Sequence, residues 1–130
     1  MMTRTAHAVL RIGAGLLFLE HGLQKLFGLL GGFGAPGQTA AMMSRFGVAG
    51  VLEFFGGLLI TAGLFTRPVA AVLIAEMIVA FSIAHLPRGG APVQNGGELA
   101  LLYALIFVFL ATHGAGPYSI DARLRRRVRA

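Results

Sequence analysis

The chain contains no cysteine, and charged residues make up only 12% of its 130 positions. Without cysteine, it forms no disulfide, offers no thiolate ligand to a metal and carries no covalent sulfur intermediate. Soluble domains contain roughly 25% charged residues, whereas 56% of the residues here are hydrophobic. This composition predicts an integral membrane protein.

The sequence also lacks a Ser- or Pro-rich linker and a visible repeat, so we predict a single domain over residues 1–130. The first apolar run is not followed by an Ala-x-Ala cleavage site, which favours a retained span over a signal peptide. Four stretches approach the roughly 20 residues that a spanning helix needs. They cover about residues 5–27, 46–65, 68–86 and 97–113, and they predict an all-α, integral membrane four-helix bundle. Between the first two spans, residues 38–45 predict a short interfacial helix.

The net charge of +6 does not indicate a nucleic-acid partner, because five of the eleven basic residues lie in a basic tail, residues 118–130. Beside a membrane, such a cluster faces anionic headgroups and marks the cytoplasmic side. Four spans place both termini on that side, which then holds seven basic residues against three on the other. We therefore predict that both termini are cytoplasmic and that membrane lipid is a partner.

Each predicted span contains one glutamate, and a carboxylate in hydrocarbon costs several kcal/mol unless it is paired, protonated or hydrated. At about 1.5 Å per residue, all four lie in the outer half of the predicted bundle, together with His21 and Lys25. These residues predict a pocket rimmed by His21, Lys25, Glu53, Glu76 and Glu98. Its apolar walls are predicted to be Phe18, Phe54, Phe55 and Phe81. Glu20 points to the other side of the first helix, which indicates a central helix or a homodimer interface.

Proton-coupled quinone chemistry needs an apolar slot, a proton-exchanging carboxylate or histidine, and a cation that stabilises negative charge. The candidate catalytic residues are Glu53, Glu76 and His21. The candidate cofactor-binding residues are His21, Lys25, Glu53, Glu76, Glu98, Phe18 and Phe54. The same groups would serve a small-solute or proton transporter. Alternatively, the glutamates form structural pairs with Lys25, Arg45 or helix ends.

A di-metal carboxylate site is not expected, because such sites need Glu-x-x-His on two helices. None of the four glutamates is followed by a histidine at that spacing. No metal is therefore predicted.

Several motifs occur in order along nearly the whole chain. They are Arg11-x-x-x-Gly15, Gly22-Leu-Gln-Lys25-Leu26, Glu53-x-x-Gly56-Gly57, Gly63-Leu-Phe-Thr66-Arg67, Asn95-x-x-Glu98 and Gly114-Ala-Gly116-Pro-Tyr-Ser119-Ile-Asp121. In these motifs the sequence resembles the DoxX family. The resemblance implies a four-helix protein of the bacterial inner membrane, associated with sulfur and thiol redox and with oxidative-stress complexes. DoxD relatives are subunits of a thiosulfate:quinone oxidoreductase.

These observations predict an inner-membrane subunit of a quinone-linked oxidoreductase system, working in sulfur or thiol redox or in oxidative-stress defence. The missing cysteine means that thiol chemistry needs a partner subunit or direct contact of the substrate with Lys25 and arginines. An alternative is a non-enzymatic scaffold that recruits soluble redox enzymes through the basic tail. A second alternative is the transporter.

Overall fold

The four long apolar stretches of the sequence form helices in the structure, a computed structural model that describes residues 2–130. No strand occurs in those residues, which confirms the all-α prediction. The helices are α1 (Met2–Phe27), α2 (Arg45–Ala62), α3 (Thr66–Ala80), α4 (Pro92–Asn95), α5 (Glu98–His113) and α6 (Ile120–Arg129). A π-helical segment (Phe81–His85) and a 3-10 turn (Leu86–Arg88) extend α3 without a break.

Within residues 2–130, two helical stretches are long and apolar enough to cross a membrane, Arg45–Ala62 and Thr66–Arg88. The apolar helix α5 is shorter, at 16 residues. The 26-residue α1 is long enough, but Arg11 and Glu20 lower its mean hydropathy below that of the other two. Among the apolar helices, α1 carries the largest number of charged residues: Arg4, Arg11, Glu20 and Lys25.

Glycines allow the backbones of α1 and α2 to touch along an antiparallel pair. A Cβ on Gly22 would lie 2.5 Å from the backbone nitrogen of Phe54, and one on Gly57 would lie 2.8 Å from the Cα of Leu19. Neither position can carry a side chain unless the helices separate. Small residues at helix interfaces allow this close approach in membrane proteins. The packing brings the last turns of α1 beside the first turns of α2.

The second pair, α3 and α5, is also antiparallel, and aromatic side chains connect it to α1. Phe18 of α1 is 1% exposed and contacts the rings of Tyr103 and Phe107 edge-on, with centroids 5.0 Å apart in each case. Tyr103 and Phe107 are one helical turn apart on the buried face of α5. The hydrophobic core therefore lies between the two helix pairs.

Arg11 is 1% exposed, and its guanidinium donates hydrogen bonds to four backbone carbonyls. Nε bonds the Ala115 oxygen at 2.9 Å and Nη2 bonds the Tyr118 oxygen at 2.5 Å. Nη1 bonds the carbonyls of Ile60, at 2.9 Å, and Thr61. The last carbonyls of a helix are unpaired and carry partial negative charge. Arg11 thus joins α1, the end of α2 and the segment after α5 at what we call the terminal end, where both chain termini lie.

The basic tail forms a helix that is attached to the terminal end. Ser119 caps α6 by accepting the Ala122 N–H at 3.2 Å. The Asp121 carboxylate accepts the N–H groups of Phe65 and Thr66 at 2.9 and 3.0 Å, which satisfies unpaired donors at the start of α3. The fifth acidic residue of the chain therefore stabilises a helix terminus.

The loop of residues 28–44 contains no helix, so the interfacial helix predicted over residues 38–45 is wrong. The loop backbone is hydrogen-bonded to α1, because the Ala40 N–H donates to the Lys25 carbonyl at 2.7 Å, near the end of that helix. Helical bonding starts only after Ser44, whose hydroxyl accepts a backbone N–H of the first turn of α2. This loop and the one before α5 form the opposite end, the loop end.

Candidate functional site

A cavity of about 700 Å³ lies between the two helix pairs, toward the loop end. Its volume is within the range of about 300–1,000 Å³ that is typical of ligand pockets. Side chains from α1, α2, α3, the π-helical segment and α5 line it. Its polar lining includes His21, Lys25, Arg45, Glu53, Glu76, His85 and Tyr103. The rest is mainly apolar, including Phe18, Phe33, Phe46, Val48, Leu52, Val72, Met77, Val79, Ile83 and Leu99.

An ion pair between α1 and α2 lines the cavity. Lys25 Nζ lies 2.5 and 2.6 Å from the two carboxylate oxygens of Glu53, and it is the only salt bridge within residues 2–130. The Lys25 side chain is 17% exposed and that of Glu53 is 6% exposed. Gly50 makes room for the pair, because a Cβ there would come 2.9 Å from the Cβ of Lys25. Both charges are therefore held at a defined position between the helices.

Glu76 brings a second carboxyl into the cavity from α3. Both of its carboxyl oxygens are buried, and neither has a hydrogen-bond partner in the part of the chain that the structure describes. Glu76 lines the same cavity as the Lys25–Glu53 pair. A buried carboxyl without a hydrogen-bond partner is costly. The cavity thus combines a paired carboxylate with one that has no partner.

Aromatic groups form the wall of the cavity between α1 and α5. His21 and Tyr103 meet edge-on with ring centroids 6.0 Å apart, and Phe18 also meets Tyr103 edge-on, with centroids 5.0 Å apart. Tyr103 is 5% exposed. Tyr103 was not among the residues predicted from the sequence, although one signal was available: its hydroxyl is the only polar side-chain group between Glu98 and Thr112.

The cavity also opens sideways between α2 and α3. Val48 on α2 and Val72 and Val79 on α3 line it, yet each is more than half exposed on the surface of the chain. At the loop end its mouth lies beside Arg45 and His85, and the His85 ring is hydrogen-bonded to the Asn95 carbonyl at 3.2 Å. A ligand can therefore reach the polar groups from the side of the helices.

Five of the seven predicted cofactor-binding residues line this cavity: His21, Lys25, Glu53, Glu76 and Phe18. The other two, Glu98 and Phe54, do not, so their predicted place in the lining is wrong. Glu98 is exposed and shares a face of α5 with Leu102 and Leu105, which are 55% and 66% exposed, so this face points away from the core.

The predicted walls formed by Phe54, Phe55 and Phe81 are likewise absent from the lining. Successive residues of a helix diverge by about 100°, so the burial of Glu53 turns Phe54 away, where its ring meets Phe27 at 5.4 Å. Phe55 is 56% exposed. Other aromatic residues, including Phe33 and Phe46, lie at the cavity instead.

Two further observations concern the orientation of Glu20 and the candidate metal ligands. Glu20 is exposed on the face of α1 opposite to the core, as the helical spacing predicts. Within residues 2–130, no group of three or more His, Asp or Glu side chains is placed to hold a metal ion.

Comparison with known proteins identifies the family. The DoxX family pattern matches residues 6–86. The chain is 38% identical over 127 residues to an uncharacterized protein of Haemophilus influenzae, covering 92% of this chain and 91% of that one. It is 30% identical over 141 residues to an uncharacterized membrane protein of Mycobacterium tuberculosis, covering 93% and 82%. It is 31% identical over 116 residues to the Bacillus subtilis protein named "Putative oxidoreductase CatD", covering 87% and 82%.

No solved structure matches the chain. The family pattern covers more than half of the sequence and includes Arg11, the Lys25–Glu53 ion pair and Glu76, whose carboxyl is buried at the cavity. The chain is a membrane protein that belongs to the DoxX family.

Proposed function

We propose that this protein is an inner-membrane subunit of a quinone-linked oxidoreductase system, and that the cavity between its helix pairs binds the quinone. Such a system works in sulfur or thiol redox or in oxidative-stress defence. The observation that carries the proposal is the cavity itself, in which apolar walls meet the Lys25–Glu53 pair and the unpartnered carboxyl of Glu76. The name of the Bacillus subtilis relative, an oxidoreductase, supports the same class of activity.

We further propose that four helices cross the membrane, with both termini in the cytoplasm. The four are α1, α2, α3 with its extension, and α5, which neighbour one another in antiparallel order. At about 1.5 Å per residue, α5 is about 24 Å long, somewhat short of a hydrocarbon core of roughly 30 Å. The excess of basic residues at the terminal end supports its cytoplasmic location. The cavity then lies in the outer half of the bilayer.

The sideways opening suits a lipid-soluble ligand. A quinone resides in the bilayer, and the apolar edges formed by Val48, Val72 and Val79 would let its tail remain in contact with lipid. The redox-active ring would then reach the polar end, where His21 and Tyr103 provide an aromatic wall. The dimensions and chemistry of the cavity fit such a group.

A bound quinone would supply two-electron, two-proton redox chemistry. Glu76 is suited to hold and release a proton, because its carboxyl faces the cavity and no hydrogen bond within residues 2–130 ties it to a neighbouring group. Lys25 places a positive charge beside the cavity, where it stabilises developing negative charge on an oxygen. Glu53 fixes the position of Lys25. Because the chain has no cysteine, the reductant is a thiol or sulfur compound, or a redox partner, outside this chain.

Filling the cavity tests the binding of quinone. Ala75 lines the cavity, whereas Ala71 lies one turn earlier on α3, is also exposed, and does not line it. Each variant is reconstituted with ubiquinone or menaquinone, purified again, and the retained quinone is extracted and quantified per protein. We expect A75F to lose most of the bound quinone and A71F to retain it. Equal retention by both variants, or none by the unmodified protein, would contradict the proposal.

Replacing Glu76 by glutamine tests its proposed role in proton transfer. General acid–base groups contribute about 10²–10⁴-fold to rates, so E76Q should lower quinone-dependent oxidation of thiol or thiosulfate in membranes by at least about a hundredfold. E98Q removes a carboxyl from the exposed face of α5 and should leave the rate unchanged. Immunoblots of both variants check that they reach the membrane. Full activity of E76Q would remove Glu76 from the mechanism.

A further inference from the structure

We propose that a cleft at the terminal end binds the phosphate group of an anionic phospholipid. The cleft, about 280 Å³ in volume, lies between α6 and the turn after α5. Arg125, Arg126 and Arg129 line it from α6, with Gly116 and Pro117 on the opposite side. This site is separate from the quinone cavity, and the inference does not depend on the proposed redox function.

The cleft has a fixed geometry because α6 is attached at its first turn. The Asp121 N–H donates to the Gly63 carbonyl at 2.9 Å, while its carboxylate binds the start of α3. On the other side, Gly116 has a φ of +78° and lies against the His7 ring, where a Cβ would approach Nδ1 to 3.1 Å. The arginines therefore project from a helix whose start is anchored rather than from a free tail.

The charges in the cleft are not balanced within the part of the chain that the structure describes. No carboxylate lines the cleft, and both carboxylate oxygens of Asp121 are bonded to N–H groups of α3. Within residues 2–130, these three guanidinium groups donate a single hydrogen bond, from Arg125 Nε to the Asp121 carbonyl at 3.4 Å. Most of their donors remain available, and paired guanidinium donors match the oxygens of a phosphate.

The position of the cleft favours a lipid as the source of the phosphate. Gly116 follows the last residue of the apolar helix α5, His113, by only three positions. The cleft thus lies where the apolar surface of the molecule ends, the level at which headgroup phosphates occur beside a membrane protein. Anionic lipids of the cytoplasmic leaflet attract arginines at this depth. The three cationic side chains of this surface cleft are all arginines, whose planar guanidinium groups match the geometry of phosphate oxygens better than a lysine ammonium does.

Two double variants of the full chain separate the cleft from the general charge of α6. R125Q/R126Q removes two arginines of the cleft, and R123Q/R127Q removes two arginines of the same helix that do not line it. Each protein is placed in nanodiscs of equal phosphatidylcholine and phosphatidylglycerol, released, and examined by native mass spectrometry for retained lipid. We expect the unmodified protein and R123Q/R127Q to retain phosphatidylglycerol. R125Q/R126Q should bind it at least roughly tenfold less well, because each lost charge-assisted contact is worth about tenfold or more.

Three outcomes would overturn the proposal. Equal loss of bound phosphatidylglycerol in both double variants would show that α6 acts only through its total charge. Equal retention of phosphatidylcholine and phosphatidylglycerol would show that the anionic lipid is not selected. Displacement of the lipid by millimolar inorganic phosphate would assign the cleft to a soluble phosphate compound instead.

Discussion

Lys25 Nζ lies 2.5 and 2.6 Å from the two carboxylate oxygens of Glu53, although the residues are 28 positions apart and belong to different helices. Glu76, which faces the same cavity from a third helix, has no hydrogen-bond partner within residues 2–130. The two buried carboxyls therefore have opposite structural roles. One is part of a fixed pair, and the other is free to respond to a ligand.

Removing one member of the pair should destabilise the protein strongly. E53Q leaves Lys25 buried without its counter-ion, which typically costs about 3–5 kcal/mol. The double variant K25M/E53L replaces the pair with apolar side chains and should recover most of that loss. Unfolding in mixed micelles with increasing SDS, followed by circular dichroism, measures both. If E53Q and K25M/E53L were equally destabilised, coupling between the two residues would be disproved.

Replacing Glu76, whose carboxyl has no hydrogen-bond partner within residues 2–130, should not destabilise the protein. Leaving a buried polar group unsatisfied costs about 1–3 kcal/mol, so E76L should unfold at the same or a higher SDS fraction than the unmodified protein. The matched variant E98L removes an exposed carboxyl and should change the free energy of unfolding little. A loss of stability in E76L as large as that in E53Q would reveal a structural role for Glu76.

Adding a single methyl group between α1 and α2 should loosen their pairing. G57A places a Cβ 2.8 Å from the Leu19 backbone, which cannot move as a flexible side chain would. We expect a loss of about 1–3 kcal/mol, typical of overpacking. Gly13 on α1 is the control, because a Cβ there meets nothing within 4 Å. Thermal unfolding of both variants in detergent provides the comparison, and an unchanged transition for G57A would rule out the close contact.

Arg11 should not be replaceable by lysine. R11K retains the positive charge but cannot reach the four carbonyls that the planar guanidinium binds, and carbonyls near the end of α2 lose their donor. We expect a loss of roughly 3 kcal/mol, since hydrogen bonds to charged groups are worth about 1.5–3 kcal/mol each. R4K, on the exposed first turns of the same helix, should be neutral. Melting temperatures in detergent distinguish the two, and equal values would contradict the assigned contacts.

Much of the candidate site was predictable because helical periodicity places side chains on faces. Arg11, Phe18 and Lys25 share a face of α1, and the structure buries that face. The prediction failed for Glu98 because α5 has apolar residues on all sides, so its sequence does not indicate which face is buried. Tyr103 was missed for the same reason.

The sequence by itself determined the class of protein. Its hydrophobic content and four apolar stretches fit a helical membrane protein, and its motifs fit the DoxX family. It also placed a carboxylate in each stretch. Only the tertiary structure decided which carboxylates meet a partner. Pairing depends on the rotation and register of neighbouring helices, and backbone contacts at Gly22 and Gly57 set these for α1 and α2. That packing brings Glu53 onto Lys25, leaves the Glu76 carboxyl without a hydrogen-bond partner in residues 2–130 and turns Glu98 outward.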